Sequence, residues 1–224
     1  MFSDSDRDFM AKNMKIKVCS IEAKLNEPFF EDFKEIAIDA ISKYIGAIEE
    51  FEASGVCRDP ICGEDNEAKK SIRAHFCEIA DGVTDNDVMQ VLDALRYAFE
   101  GYACNGLHQL YTRQENQCWH PKIWLTEVLL PNDIDSLPHV MTLYRGCNID
   151  ELKNNSFGQA WSTSLAAAKE FAYTHYRDQK WFDESNRIVL KAKYFKNHVL
   201  FSDQSNECEV VVNVEKLNGV RRYT

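Results

Sequence analysis

The sequence predicts an α+β protein, helical in its first half and strand-rich in its second. Three observations predict it. Between residues 29 and 51 the apolar positions Phe30, Phe33, Ala37, Ile41, Tyr44, Ile48 and Phe51 recur in steps of three and four, one face of a helix. After about residue 138 the pattern changes to short β-branched and aromatic runs bounded by turn residues. Close to the end, Asn218-Gly219 separates two such runs, a strong hairpin signal. The change of character falls between Pro121 and Pro138, which divides the chain into a helical region, 1–120, and a second domain, 121–224.

In order along the chain, the helix over 29–51 ends at Gly55 and the loop that follows it. A shorter helix is expected over 67–80, with Ile72, Phe76 and Ile79 inward. Thr84, with Asp87 three residues on, marks the start of a third, whose stripe is Val88, Leu92, Leu95, Phe99 and Tyr102. Residues 139–144 read as a strand running into Arg145-Gly146, and 160–162 as a short strand. Residues 165–176 are alanine-rich and helical, with Ser164 placed as the N-cap. Strands are expected over 187–195, 198–201 and 207–214.

Composition bounds the function. The chain has 224 residues, 45% of them hydrophobic and 28% charged, the profile of a globular protein large enough for a real core. A net charge of -10 disfavours gripping nucleic acid by electrostatics alone. The acidic, polar start M-F-S-D-S-D-R-D-F-M does not read as a secretory signal, and nothing approaches a membrane span, so a cytoplasmic location is expected, with delivery into a target cell by a signal-independent route left open. Eight scattered cysteines read as reduced, buried thiols. Dinucleotide-fold, P-loop, zincin and nucleophile-elbow motifs are all missing. Cys57, Cys62, His75 and Cys77 suggest zinc ligands only loosely, because His75 and Cys77, two apart on a helix, face different ways.

Three pieces remain. Leu143 to Gly146 (L-Y-R-G) puts an arginine at a strand end, and Trp161 to Ser164 (W-S-T-S) puts hydroxyls where a strand meets a helix. Asn206 to Val212 (N-E-C-E-V-V-V) opens a valine-rich strand with two glutamates. On a regular strand Glu207 and Glu209 share a face, their carboxylates roughly 7 Å apart at a cost of about 2 kcal/mol. Solvent, a cationic partner or a cationic transition state could offset that cost. Singly, each piece has an ordinary reading: a surface salt bridge, a helix cap, a solvated edge.

In this order and on strand ends, arginine, S-T-S and E-x-E resemble the mono-ADP-ribosyltransferases of the arginine-serine-glutamate class. The runs S-T-S-L-A-A-A-K-E-F-A and V-L-F-S-D-Q-S-N-E-C-E are also similar to that family. The resemblance covers about residue 140 to the C-terminus and leaves the helical half unplaced. It implies a split, mostly antiparallel β-sandwich, on which the helical part is expected to pack. It also implies cleavage of the nicotinamide–ribose bond of NAD, with ADP-ribose passed to an acceptor and no metal needed. Glu209 would stabilise the oxocarbenium ion and bind the ribose hydroxyl. Arg145 would hold the pyrophosphate or the neighbouring ribose. Gly146 would let the backbone approach the nicotinamide amide. Ser162 would orient Glu209, with Thr163 and Ser164 supporting the turn, and Glu207 would position and deprotonate the acceptor. Trp181 and Phe182 lie where the family folds over NAD; stacking on nicotinamide and a plain hydrophobic latch are both open. Tyr144 and Trp161 read as core residues.

By the same resemblance, Glu207 at the first E-x-E position points to protein arginine as acceptor, in a bacterial toxin or effector. The alternatives are a nucleobase of RNA or DNA, as in a toxin–antitoxin or anti-phage toxin, and a non-enzymatic NAD- or target-binding module. A toxin would bring a neutralising antitoxin or chaperone as partner. No membrane partner is expected.

Overall fold

The structure, a computed structural model, describes residues 1–56, 66–105, 119–205 and 207–224. The chain divides into two compact units, Met1–Trp124 and Leu125–Thr224.

The first unit is helical among the described residues: α1 (Asp4–Asp8), α2 (Val18–Leu25), α3 (Lys34–Ala53), α4 (Glu67–Ala80) and α5 (Asn86–Asn105). The stripe read from the sequence is the buried face of α3, where Ala37, Ile41, Tyr44 and Ile48 are almost wholly inaccessible. The helix starts later than the periodicity suggests, because Pro28–Phe33 is a 3-10 segment opened by its proline. Asp85 rather than Thr84 caps α5, its carboxylate accepting from the Asp87 and Val88 N–H groups at 2.8 and 3.1 Å. Inside the bundle the buried Glu100 carboxylate accepts from Arg96 and Arg73. The short helices α1 and α2 have no counterpart in the sequence reading, whose periodic window opened at residue 29. Cys57 and Cys62 lie outside the described residues, and among the described residues no group of three or more acidic, histidine or cysteine side chains could hold a metal. Cys19 and Cys77 are exposed, against the expectation of buried thiols; Cys104 and Cys147 are buried. No described helix is long and apolar enough to cross a membrane.

The second unit is an antiparallel sheet with short helices. Its elements are β1 (Val140–Asn148), α6 (Ile149–Lys153), β2 (Ala160–Ser162), α7 (Leu165–Tyr173), β3 (Arg187–Phe195), β4 (Val199–Asp203), β5 (Glu209–Val212) and β6 (Asn218–Arg222). The described strands form one six-stranded sheet in the order β4-β5-β2-β1-β3-β6, where two sheets of a sandwich were expected. One face carries the main core, including Leu143, Trp161, Leu190, Tyr194, Val210 and Val212. The other face is covered in part by α7, whose Ala168 and Ala172 pack on Val189 and Tyr144. Ser164 caps α7 as expected, its hydroxyl accepting from the Ala167 N–H at 3.3 Å. The helix stops at Tyr173, three residues early, in a run of turns.

Two strand expectations fail for local reasons. Asn218-Gly219 is not a hairpin turn. Val214–Lys216 is a 3-10 turn, and residues 218–222 pair with β3 instead, with Gly219 at φ +62. The last strand of the E-x-E run begins at Glu209, not Glu207, because Cys208 adopts a left-handed conformation at φ +52. That kink takes Glu207 out of the strand and into solvent, so the two glutamates do not alternate as on a regular strand.

Candidate functional site

The site grows from strand register. In antiparallel strands directly opposed residues point to the same face. Ser162 of β2 is opposed to Glu209 of β5 on one side and to Tyr144 of β1 on the other. Glu209 is in turn opposed to Asp203 of β4, Tyr144 to Lys191 of β3, and Lys191 to Arg221 of β6. One row therefore crosses all six strands on one face: Asp203, Glu209, Ser162, Tyr144, Lys191, Arg221. It is acidic at one end, basic at the other, and has a hydroxyl and an aromatic ring between.

The acidic end is tied down by the S-T-S turn. Ser162 is 7% exposed; its hydroxyl donates to the Glu207 carbonyl at 2.8 Å and accepts from the Ser164 N–H at 2.9 Å. The Thr163 N–H donates to the Cys208 carbonyl at 3.0 Å. The Thr163 hydroxyl donates to Gln204 Oε1 at 2.7 Å. Gln204 Nε2 in turn reaches Ser202 Oγ and the Glu209 carbonyl, both at 3.0 Å. The Gln204 N–H is itself held by Asp133 Oδ2 at 2.7 Å. The left-handed turn at Cys208 is thus clamped from both sides.

Glu209 is half-buried, and its carboxyl is pushed up from 4.5 to about 8. Removal from water is the largest cause, followed by the nearby charges of Glu207 and Asp203. The neighbours of Glu209 in the row, Asp203 and Ser162, bring no cation beside it.

The structure places Ser162, Thr163, Ser164, Glu207 and Glu209 together, with the Ser162 hydroxyl on the Glu207 carbonyl and not on the Glu209 carboxyl it was expected to orient. Arg145 does not join them. One residue along β1 from Tyr144, it points to the opposite face, opposed to the core residue Leu190. It is 8% exposed. Its Nε and Nη2 donate to the two carboxylate oxygens of Glu151 at 2.9 and 2.8 Å, and Nη1 donates to the Ala160 carbonyl at 2.6 Å. Glu151 also accepts from the Gly158 N–H. The guanidinium is thereby committed to joining β1, α6 and the start of β2, not to a pyrophosphate on the row.

Gly146 also has another role than expected. It shares Tyr144's face, and a Cβ there would lie 2.1 Å from the Ala168 carbonyl oxygen and 2.5 Å from the Ala172 nitrogen. Its missing side chain lets α7 lie directly on β1, where a nicotinamide amide was expected to approach. Trp181 sits at the C-terminal end of α7, the far end from Ser164. Its ring is 5.4 Å from Tyr176 and 6.3 Å from Phe182, and the Arg187 guanidinium lies 5.8 Å from both the Tyr176 and Trp181 rings. Arg187 donates to the Ala172 and Phe171 carbonyls there, so Trp181 latches the end of the helix.

The sequence reading missed Gln204, Asp133, Asp203 and Glu151. Asp203 and Gln204 lie in the quoted run before E-x-E, where a strand end followed by polar residues was the available signal. Tyr144 was read as core, and its half-buried place on the row follows from register alone.

No protein-family model matches the sequence, and neither a curated protein nor a solved structure matches it.

Proposed function

We propose that residues 125–224 carry the catalytic machinery of an NAD-dependent mono-ADP-ribosyltransferase, which moves ADP-ribose from NAD to an acceptor and releases nicotinamide. The observation that supports it best is the register of Ser162 against Glu209, with the E-x-E turn clamped by the S-T-S backbone and hydroxyls. In this reading the bond between the ribose anomeric carbon and the nicotinamide nitrogen breaks. The electron pair leaves with the ring, which becomes neutral, and the positive charge passes to the ribose. Ionised Glu209 stabilises that charge from a position fixed before the reaction begins. Glu207, displaced into solvent, takes the proton from the acceptor as the new bond forms. Arg145 serves as a positioning residue, through its fork on Glu151.

The acceptor best matched to the site is an arginine side chain on a protein. The exposed Asp203 and Glu207 flank Glu209, a setting that attracts a guanidinium and repels a nucleic-acid backbone. A lysate labelled with tagged NAD, then split between protease and nuclease treatment, tests this. Label released by protease and retained after nuclease is the expected result. Label released by nuclease alone would transfer the reaction to a nucleobase, and no label in any fraction would contradict the transferase reading.

A further inference from the structure

The row leaves a question that the acidic end does not answer: what holds the phosphates, if Arg145 is turned away? At the other end of the row Lys191 and Arg221 are directly opposed on β3 and β6. Tyr223 follows on the same face, anchored by its N–H to the Val189 carbonyl at 2.7 Å. Its ring packs edge-on to Tyr144 at 5.8 Å. Two ammonium groups from different elements converge on that ring: Lys191 Nζ at 5.1 Å from its centroid and Lys169 Nζ of α7 at 5.7 Å. Neither lysine, nor Arg221, has a carboxylate partner among the described residues. In a chain with 36 acidic and 26 basic residues, two lysines converging on one ring without an acid, with Arg221 opposed to one of them in register, leave charge uncompensated. Each favours an anion there, and contact with the one ring keeps the two lysines in place.

We propose that Lys169 and Lys191, converging on Tyr223, and Arg221, opposed to Lys191 on β6, bind the pyrophosphate of the dinucleotide, which lies across the strands with its nicotinamide end toward Glu209. This rests on the NAD reading above and adds the phosphate subsite. The molecule's polarity matches the row: its cationic ring goes to the Asp203–Glu209 end and its anionic bridge to the Lys191–Arg221 end. Glu209 and Lys191 are three strand spacings apart, about 14 Å, a gap that a ribose, a phosphate and an extended lysine side chain can span.

The test is ADP-ribose binding by calorimetry, which needs no turnover, with inorganic pyrophosphate as a second probe. Lys169→Ala and Lys191→Ala are each expected to weaken ADP-ribose binding about tenfold, and the double variant about a hundredfold. Lys153→Ala, whose lysine pairs with Asp150 on α6, should leave it unchanged. Raising the salt concentration should weaken wild-type binding and have much less effect on the double variant. Pyrophosphate binding should be lost in the same variants. Wild-type affinity in the double variant with its circular dichroism intact, or no ADP-ribose binding by the wild type, overturns the proposal. Lysine-dependent ADP-ribose binding without any release of nicotinamide from NAD would uphold the subsite and remove the transferase reading. Turnover with an unchanged KM for NAD in the double variant would do the reverse.

Discussion

Ser162 and Glu209 are opposed across β2 and β5, yet the Ser162 hydroxyl donates to the Glu207 carbonyl instead of the Glu209 carboxyl. The serine therefore governs the two glutamates through the backbone between them. It fixes where Glu207 leaves the sheet and so where Glu209 begins the strand.

The Glu209 carboxyl sets a pH dependence with a definite sign. Its value in the folded chain, about 8, lies above the ordinary 4.5. The folded chain thus keeps a proton that the unfolded chain gives up. The stability this contributes is complete below about pH 4.5 and is lost as pH rises through about 8. Unfolding free energy should fall by on the order of 2 kcal/mol between pH 5 and 9, a fraction of the roughly 1.4 kcal/mol per unit because the group is only half-buried. In Glu209→Gln that fall should be absent. In the same window kcat/KM for NAD should rise with pH, since only ionised Glu209 stabilises the cationic ribose. Denaturant titrations at several pH values check the first statement. Parallel curves for wild type and variant would show that Glu209 is not held protonated.

Cys208 carries backbone strain at φ +52, a conformation that costs a residue with a Cβ about 1 kcal/mol. Cys208→Gly should be neutral or stabilising by up to about 1 kcal/mol, relief of strain being partly offset by the freer unfolded chain. Cys208→Val should destabilise by about 2 kcal/mol, because a β-branched side chain fits the left-handed region worst. Thermal melts rank the three. A valine variant as stable as the wild type would mean that the turn is not left-handed, and the displacement of Glu207 would lose its cause.

The Arg145–Glu151 pair is a buried fork. Glu151→Gln leaves the guanidinium without its counter-charge and should cost about 3 kcal/mol. Arg145→Lys keeps the charge but not the two parallel bonds, and should cost about 1–2 kcal/mol. Since the guanidinium lies across the sheet from the row, the folded Arg145→Lys protein should keep a KM for NAD within about threefold of wild type. A tenfold rise in KM with the melting temperature unchanged would return Arg145 to direct contact with the dinucleotide.

These residues also show how far the sequence could be read. Glu67–Ala80 and Arg187–Phe195 were legible to the residue, the first from the helical spacing of Ile72, Phe76 and Ile79, the second from a run of strand-forming residues. Ser164 was legible as a cap because capping is local chemistry. Asn218-Gly219 announced a positive φ, which Gly219 has, but a local signal cannot say which strand pairs with which, and β6 went to β3. Arg145 fails on parity: the order arginine, hydroxyls, carboxylate was visible, while the face each would take depends on a register set by strands far apart in sequence. Gly146 was singled out for its lack of a side chain, and the helix that exploits this was predicted separately, without the contact between them.

In the proposed reaction Glu209, set against Ser162, stabilises a cationic ribose as nicotinamide leaves. Nicotinamide release from NAD by the wild type and by Glu209→Gln, both checked for fold by circular dichroism, measures it most directly. Release by the wild type at pH 8 and a loss of at least a hundredfold in the variant are expected, the cost of about 3 kcal/mol when one preorganised charge is removed. Equal release by the two proteins, or none by the wild type, would contradict it.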